Sequence, residues 1–313
     1  MVALERIHMS KTDHITKHFF TNKIKFADLF NGILFEGKQI IDSKDLIQEN
    51  IEHIVSLSKN RQSQKSINRY RDCFMSWKGN VRLLLLGIEN QEKIHYAMPL
   101  KSLTYDIMCY VEQAEQIRNS HREKKEYGNS AEFLSGWHKR DYLDPVITVV
   151  VYWGEDEWDG KLNFQDMIKI SDDDIKEVLA PYLPKYQVLV VEPRKLKDLD
   201  VFQTSLRDIF GMMKYRDQEE QFQNYVSNNE RLLDMEDLEL LKSVLNDKSF
   251  VCIKEEEEAV TVCKATEAIY NRGKVEGKIE GKEEIFKKLY ELGVDKELIQ
   301  KLKAELEKEK QPV

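Results

Sequence analysis

Cysteine is scarce in this chain. There are four in 313 residues, Cys73, Cys109, Cys252 and Cys263, and no CxxC pair. That argues against a disulfide scaffold and a thiolate zinc site, and the expected setting is a reducing cytoplasm. Six prolines and thirteen glycines are too few for a collagen-like or Pro/Gly-rich disordered chain. No run approaches 18 uninterrupted apolar residues, so no transmembrane helix and no membrane partner are expected. The opening MVALERIHMSKTDH lacks an apolar core and a small-residue cleavage site, so no signal peptide is expected. HExxH, GxSxG, Walker A and GxGxxG are all missing, which argues against zincin, hydrolase-elbow, P-loop and dinucleotide chemistry. Among seven histidines, His14 and His18 stand four apart. Two histidines without a third ligand make a poor zinc site, and they read as helix-surface residues.

What is present is globular. Hydrophobic residues are 41% and charged residues 33%, enough to build a real core at this length. Charge is unevenly spread. Residues 1–140 hold 22 Lys+Arg against 17 Asp+Glu, a net of +5, while residues 141–260 hold 14 against 28, a net of −14. A polyanionic partner would meet the N-terminal part first.

The periodicity predicts a helix over 12–37, broken near Thr21-Asn22 and stopped at Gly37. A second mixed helical segment is expected over 44–58. Residues 59–71 are polar and basic. RDCFMSW is followed by the turn-like Lys78-Gly79-Asn80 and then by VRLLLLGIENQ. The short continuous apolar run reads as a strand buried on both faces. Pro99 opens a helix over 100–126, a polar loop is expected over 127–144, and further strands over 145–158 and 186–193. From 196 to 250 the pattern is helical. The tail repeats GKVE, GKIE, GKEE from Gly273, a charged helical pattern despite its glycines. Alternating helices and strands imply an α/β or α+β core with few strands.

One constellation carries chemistry. Glu89 and Gln91 lie two apart at the end of an apolar strand, so their side chains share a face. A turn at 78–80 brings the preceding segment alongside and sets Asp72 beside Glu89. Two carboxylates converging at a sheet end suit Mg²⁺ or Mn²⁺, and the Asn90 carbonyl can add a third oxygen. Gln91 can orient a water by hydrogen bonding. By spacing alone, a solvated strand end with a hydrogen-bonded Gln is the alternative.

Arg71-Asp72, LLLLGIENQ (83–91) and MPLKSLTYD (98–106), followed by PVITVVVYWGEDEWDG (145–160) and the EGK-patterned tail, resemble the PD-(D/E)XK nuclease-like transposases of the recombination-promoting nuclease family. The matching blocks are ordered and span roughly residues 12–310. The resemblance implies an α/β restriction-endonuclease-like core with a small mixed sheet flanked by helices. It implies a nuclease-like domain with a helical extension over 10–255 and a charged tail over 256–313. It further implies a cytoplasmic, Mg²⁺-dependent DNA endonuclease linked to recombination or mobile elements.

By position, Asp72 and Glu89 match the family's acidic residues, and Gln91 stands where a lysine is usual. Gln is neutral and supplies no charge to an attacking hydroxide. Lys101 and Tyr105, one helical turn apart, take the place of a phosphate-contacting pair. Asp28 is the candidate N-terminal acid for the metal, with Asp13 as runner-up. Lys65, Arg69 and Arg71 are candidates for backbone phosphates. Three readings stay open: an active endonuclease, a weak or inactive nuclease-fold protein that binds or regulates, and a strand-transferring transposase. The tail pattern adds the expectation of a homodimer through the C-terminal helices.

Overall fold

A computed structural model of the chain describes residues 11–49, 73–78, 83–227, 229, 231–245, 259–261 and 285–289. The first helical stretch breaks at the expected place. Helix α1 (Lys11–Phe19) and helix α2 (Lys23–Phe35) are separated by Asn22, whose side chain caps α2 by accepting from the backbone N–H of Ile24 and Lys25. Glu36 (φ 54°) and Gly37 (φ 84°) take the left-handed conformation that ends the helix.

Of the segment expected as a helix over 44–58, residues 44–49 are described and they differ, while 50–58 lie outside the described residues. A 3₁₀ turn (Ser43–Asp45) leads into strand β1 (Leu46–Gln48). Here pairing overrides local propensity: Leu46 is buried and the three residues lie along Trp77–Met75 of strand β2 (Cys73–Lys78).

Strand β3 (Leu83–Gln91) runs antiparallel to β2, with Cys73 opposite Ile88 and Lys78 opposite Leu83. The two segments on either side of the expected turn are therefore neighbouring antiparallel strands, and Gly79 and Asn80 of that turn lie outside the described residues. Helix α3 (Met98–Lys124) follows, with Pro99 in its first turn. The expected polar loop at 127–144 holds a short helix, α4 (Ser130–Ser135). It is capped by the Asn129 side chain accepting from Glu132 N and closed by left-handed Gly136. Strand β4 (Val146–Tyr152) then pairs parallel with β3.

Helix α5 (Asp173–Leu179) precedes strand β5 (Leu189–Val191), which pairs parallel with β4 and is shorter than the expected 186–193. The region expected to be helical contains helix α6 (Leu206–Tyr215), helix α7 (Glu219–Ser227) and helix α8 (Met235–Val244). Strand β6 (Leu232–Asp234) interrupts them and pairs with strand β7 (Ala259–Thr261). Strand β7 lies past residue 255, and the rest of the expected charged tail over 256–313, apart from 285–289, is outside the described residues.

The five-stranded sheet has the order β1-β2-β3-β4-β5 and is mixed, with helices packed against it. This is an α/β arrangement compatible with a restriction-endonuclease-like core. One face carries Met75, Leu86, Ile88, Val149, Val151 and Trp153 into the main core. There they meet fully buried Phe20, Phe30 and Phe210, and burial of such rings is the chief driving force. On the alternate positions, Phe74 and Val146 pack with Cys109 of α3. Lys25 of α2 is nearly buried, yet it reaches Glu236 at 2.8 Å and Asp237 at 2.7 Å. That network fixes α2 to the start of α8. Among the described residues, no helix is long and apolar enough to cross a membrane.

Candidate active site

The period-two alternation of β3 separates its last three side chains. Glu89 and Gln91 face α3, and Asn90 points into the core face. There the Asn90 carboxamide oxygen accepts from the Trp153 indole at 2.9 Å. On the α3 side, Gln91 Nε2 donates to Glu89 Oε1 at 2.9 Å and to the Asn90 carbonyl at 2.8 Å. Lys101, in the first turn of α3, donates to the same Glu89 oxygen at 2.5 Å. The Glu89 side chain is 6% exposed and that of Lys101 15%. A carboxylate so removed from water is costly unless paired, and the ammonium supplies that pairing.

The cluster stands at the carboxyl ends of two parallel strands, since Glu89 is level with Val150 and Gln91 with Tyr152. In α/β sheets this is where ligands bind. A cavity of about 260 Å³ opens beside it, lined by Thr16, Asn90, Gln91, Lys93, His95 and Trp153 among others. His95 is the residue that sequence reasoning missed. Desolvation first, then the charge of Lys101, hold its imidazole below the ordinary range, so it is neutral at pH 7. The only signal in the sequence is its place between β3 and Pro99.

The other expected residues divide. Asp72, Lys65, Arg69 and Arg71 lie outside the described residues. The chain neighbour of Asp72, Cys73, is the ladder partner of Ile88, itself the neighbour of Glu89. Tyr105 is buried at 8% exposed, so of the Lys101–Tyr105 pair it is the lysine whose head reaches the Glu89 cluster. Asp106 accepts from Thr148 and Tyr186, each at 2.7 Å.

Asp28 is committed elsewhere. Its carboxylate accepts from the backbone N–H of Gln203 (2.9 Å) and Thr204 (2.8 Å) and from the Thr204 hydroxyl (2.6 Å). These bonds tie α2 to the turn before α6, which corrects the reading of Asp28 as a metal-facing acid. The side chain of Asp13 lies outside those described.

The donor set of the cluster suits a hard cation. Glu89 contributes a carboxylate and Asn90 a carbonyl, both oxygen. The Lys101 ammonium on Glu89 Oε1 shows that this oxygen already receives a positive charge.

A family model described as "Putative transposase, YhgA-like" matches residues 10–240. No curated protein and no solved structure matches the chain.

Proposed function

The chain belongs to the YhgA-like transposase family, and from that premise we propose that it is a DNA endonuclease. It hydrolyses phosphodiesters with Mg²⁺ or Mn²⁺ in the service of recombination or mobile-element movement. The observation that carries this reading is the meeting of Glu89, Gln91 and Lys101 at the carboxyl end of β3.

Glu89, Asp72 and the Asn90 carbonyl are the residues that would hold the ion. When bound, it would neutralise phosphate charge and acidify a water. The chain's own groups divide the remaining work. Gln91 holds its amide N–H against Glu89 and the Asn90 carbonyl, which leaves the amide oxygen to accept from a water and aim it. Lys101 supplies the fixed positive charge that glutamine at 91 lacks. An ammonium at this position can stabilise the extra negative charge that develops on phosphate oxygens as water attacks phosphorus and the P–O bond breaks. His95, neutral beside the same cavity, can take a proton from that water. DNA is the proposed partner, with the basic stretch holding Lys65, Arg69 and Arg71 on its phosphates. A homodimer through the C-terminal segment would offer two sites for two strands.

Two observations favour a second reading, a catalytically weak nuclease fold that binds or regulates. Glu89 Oε1 is shared by an amide and an ammonium, and the sequence from 141 to 260 is strongly acidic. Plasmid nicking with Mg²⁺ and with Mn²⁺ separates the two. Cleavage by wild type that disappears in Glu89→Ala supports the endonuclease. No cleavage by folded wild type or by Gln91→Lys supports the second reading.

A further inference from the structure

A second cluster of ligand-type side chains lies at the far end of α3. His121 is in its last turns, and His138 and Asp141 belong to the segment between α4 and β4. His121 Nε2 is 2.9 Å from Asp141 Oδ2, and the same oxygen accepts from the His138 backbone N–H at 2.6 Å. The two imidazoles stack with centroids 3.7 Å apart and planes 31° from parallel. The side chains are 13%, 7% and 12% exposed for His121, His138 and Asp141. One coordinating atom from each lies within 4.8 Å of those from the other two.

The hydrogen bonds fix which nitrogens are open. His138 Nε2 meets the Glu126 carbonyl. A carbonyl only accepts, so that nitrogen carries the hydrogen and Nδ1 keeps its lone pair. A histidine held through one N–H by a backbone carbonyl is the arrangement that orients imidazoles toward a metal. His121 Nδ1 is buried, and no hydrogen bond reaches it among the described residues.

We propose that His121, His138 and Asp141 bind a divalent transition-metal ion, with zinc as its reference occupant. Two imidazole nitrogens and one carboxylate oxygen suit zinc, nickel or copper and do not suit magnesium, which takes oxygen. A contraction on the order of an ångström brings the ligand atoms to the zinc–nitrogen length of about 2.0–2.1 Å. Three protein ligands leave a fourth position for water or another side chain.

This site is separate from the Glu89 cluster. Lys101 and His121 are on one continuous helix, and twenty residues at 1.5 Å each put them about 30 Å apart. The ion would instead pin the end of α3 to the turn that leads into β4. The inference does not rest on the endonuclease reading.

The test uses the full-length chain, stripped with a chelator and titrated with zinc by calorimetry in excess magnesium. Expected is one equivalent of zinc, a Tm raised by zinc, and at least tenfold weaker binding in His121→Gln and in Asp141→Asn. Glu89→Gln should bind zinc as the wild type does. Cobalt(II) gives a reading that needs no variant: d–d bands in the visible, without a thiolate charge-transfer band, bleached by added zinc. Folded wild type that takes up no stoichiometric zinc overturns the proposal. So does unchanged affinity in both ligand variants, loss of binding in Glu89→Gln, or a thiolate band with cobalt.

Discussion

Lys101 Nζ lies 2.5 Å from Glu89 Oε1 across the bend from β3 into α3, so a helix delivers its charge to the end of the preceding strand. The position two after Glu89 is a neutral glutamine, yet the carboxylate still has a cation beside it. A positive charge absent from position 91 thus reaches Glu89 from position 101.

That relationship predicts a transferable charge. Lys101→Met should lower cleavage by about 10²–10³-fold, the cost of removing one preorganised charge stabiliser. Adding Gln91→Lys to Lys101→Met should recover part of the loss. Single-turnover cleavage of a plasmid measures both. A double variant no better than Lys101→Met would show that Lys101 acts on structure alone.

His95 should report on the same lysine. Its ring is held low by desolvation and by the Lys101 charge. In Lys101→Met the imidazole should titrate at higher pH than in the wild type while staying below the ordinary histidine range. Chemical-shift titration of the His95 ring checks this. The linkage has a sign. A depressed folded value means full stability above the unfolded histidine value, and loss as the pH falls through it, because the unfolded chain takes the proton first. That acid-side loss should shrink in Lys101→Met.

Asp28 should matter to folding and not to metal affinity. Asp28→Ala removes a buried carboxylate that holds two backbone amides and a hydroxyl, at a cost of about 3 kcal/mol. Denaturant unfolding reads that cost. Calorimetric titration with Mn²⁺ should give the wild-type affinity, and a tenfold loss would return Asp28 to the metal site.

Asp208 offers a stability gain. It is 1% exposed, and burial raises its carboxyl above the usual range, against the opposing effects of Asn229, Arg231 and Arg207. A raised folded value gives stability that is present below the unfolded value and is lost as the pH rises through the folded one. At pH 7 the charged form is therefore a burden. Asp208→Asn should raise Tm by a few degrees at pH 7, with the gain fading toward pH 4. Thermal melts at the two pH values decide it.

Much of this fold is legible in local pattern. The apolar run ending in Glu89 shows as a strand, Asn22 as a break, and Pro99 as a helix start, because each is written in adjacent residues. The elements that escape are those set by partners far along the chain. Leu46–Gln48 becomes a strand because Met75–Trp77 lies beside it. Ser130–Ser135 is too short for a periodic face, and only Asn129 and Gly136 mark its ends. At the candidate site, two-residue spacing foretells that Glu89 and Gln91 share a face. It does not tell that Lys101, one turn into the next helix, bends back to them. His121 and His138, seventeen positions apart, have no motif at all, since their meeting depends on the turn after α4.

The sheet's outermost strands, β1 and β5, are three residues long. Such stubs offer a passing chain only a few unpaired backbone groups, so joining by strand addition at either edge is disfavoured. A pair of copies joined by a continuous sheet across β1 or β5 is therefore not the expected form of any assembly of this molecule.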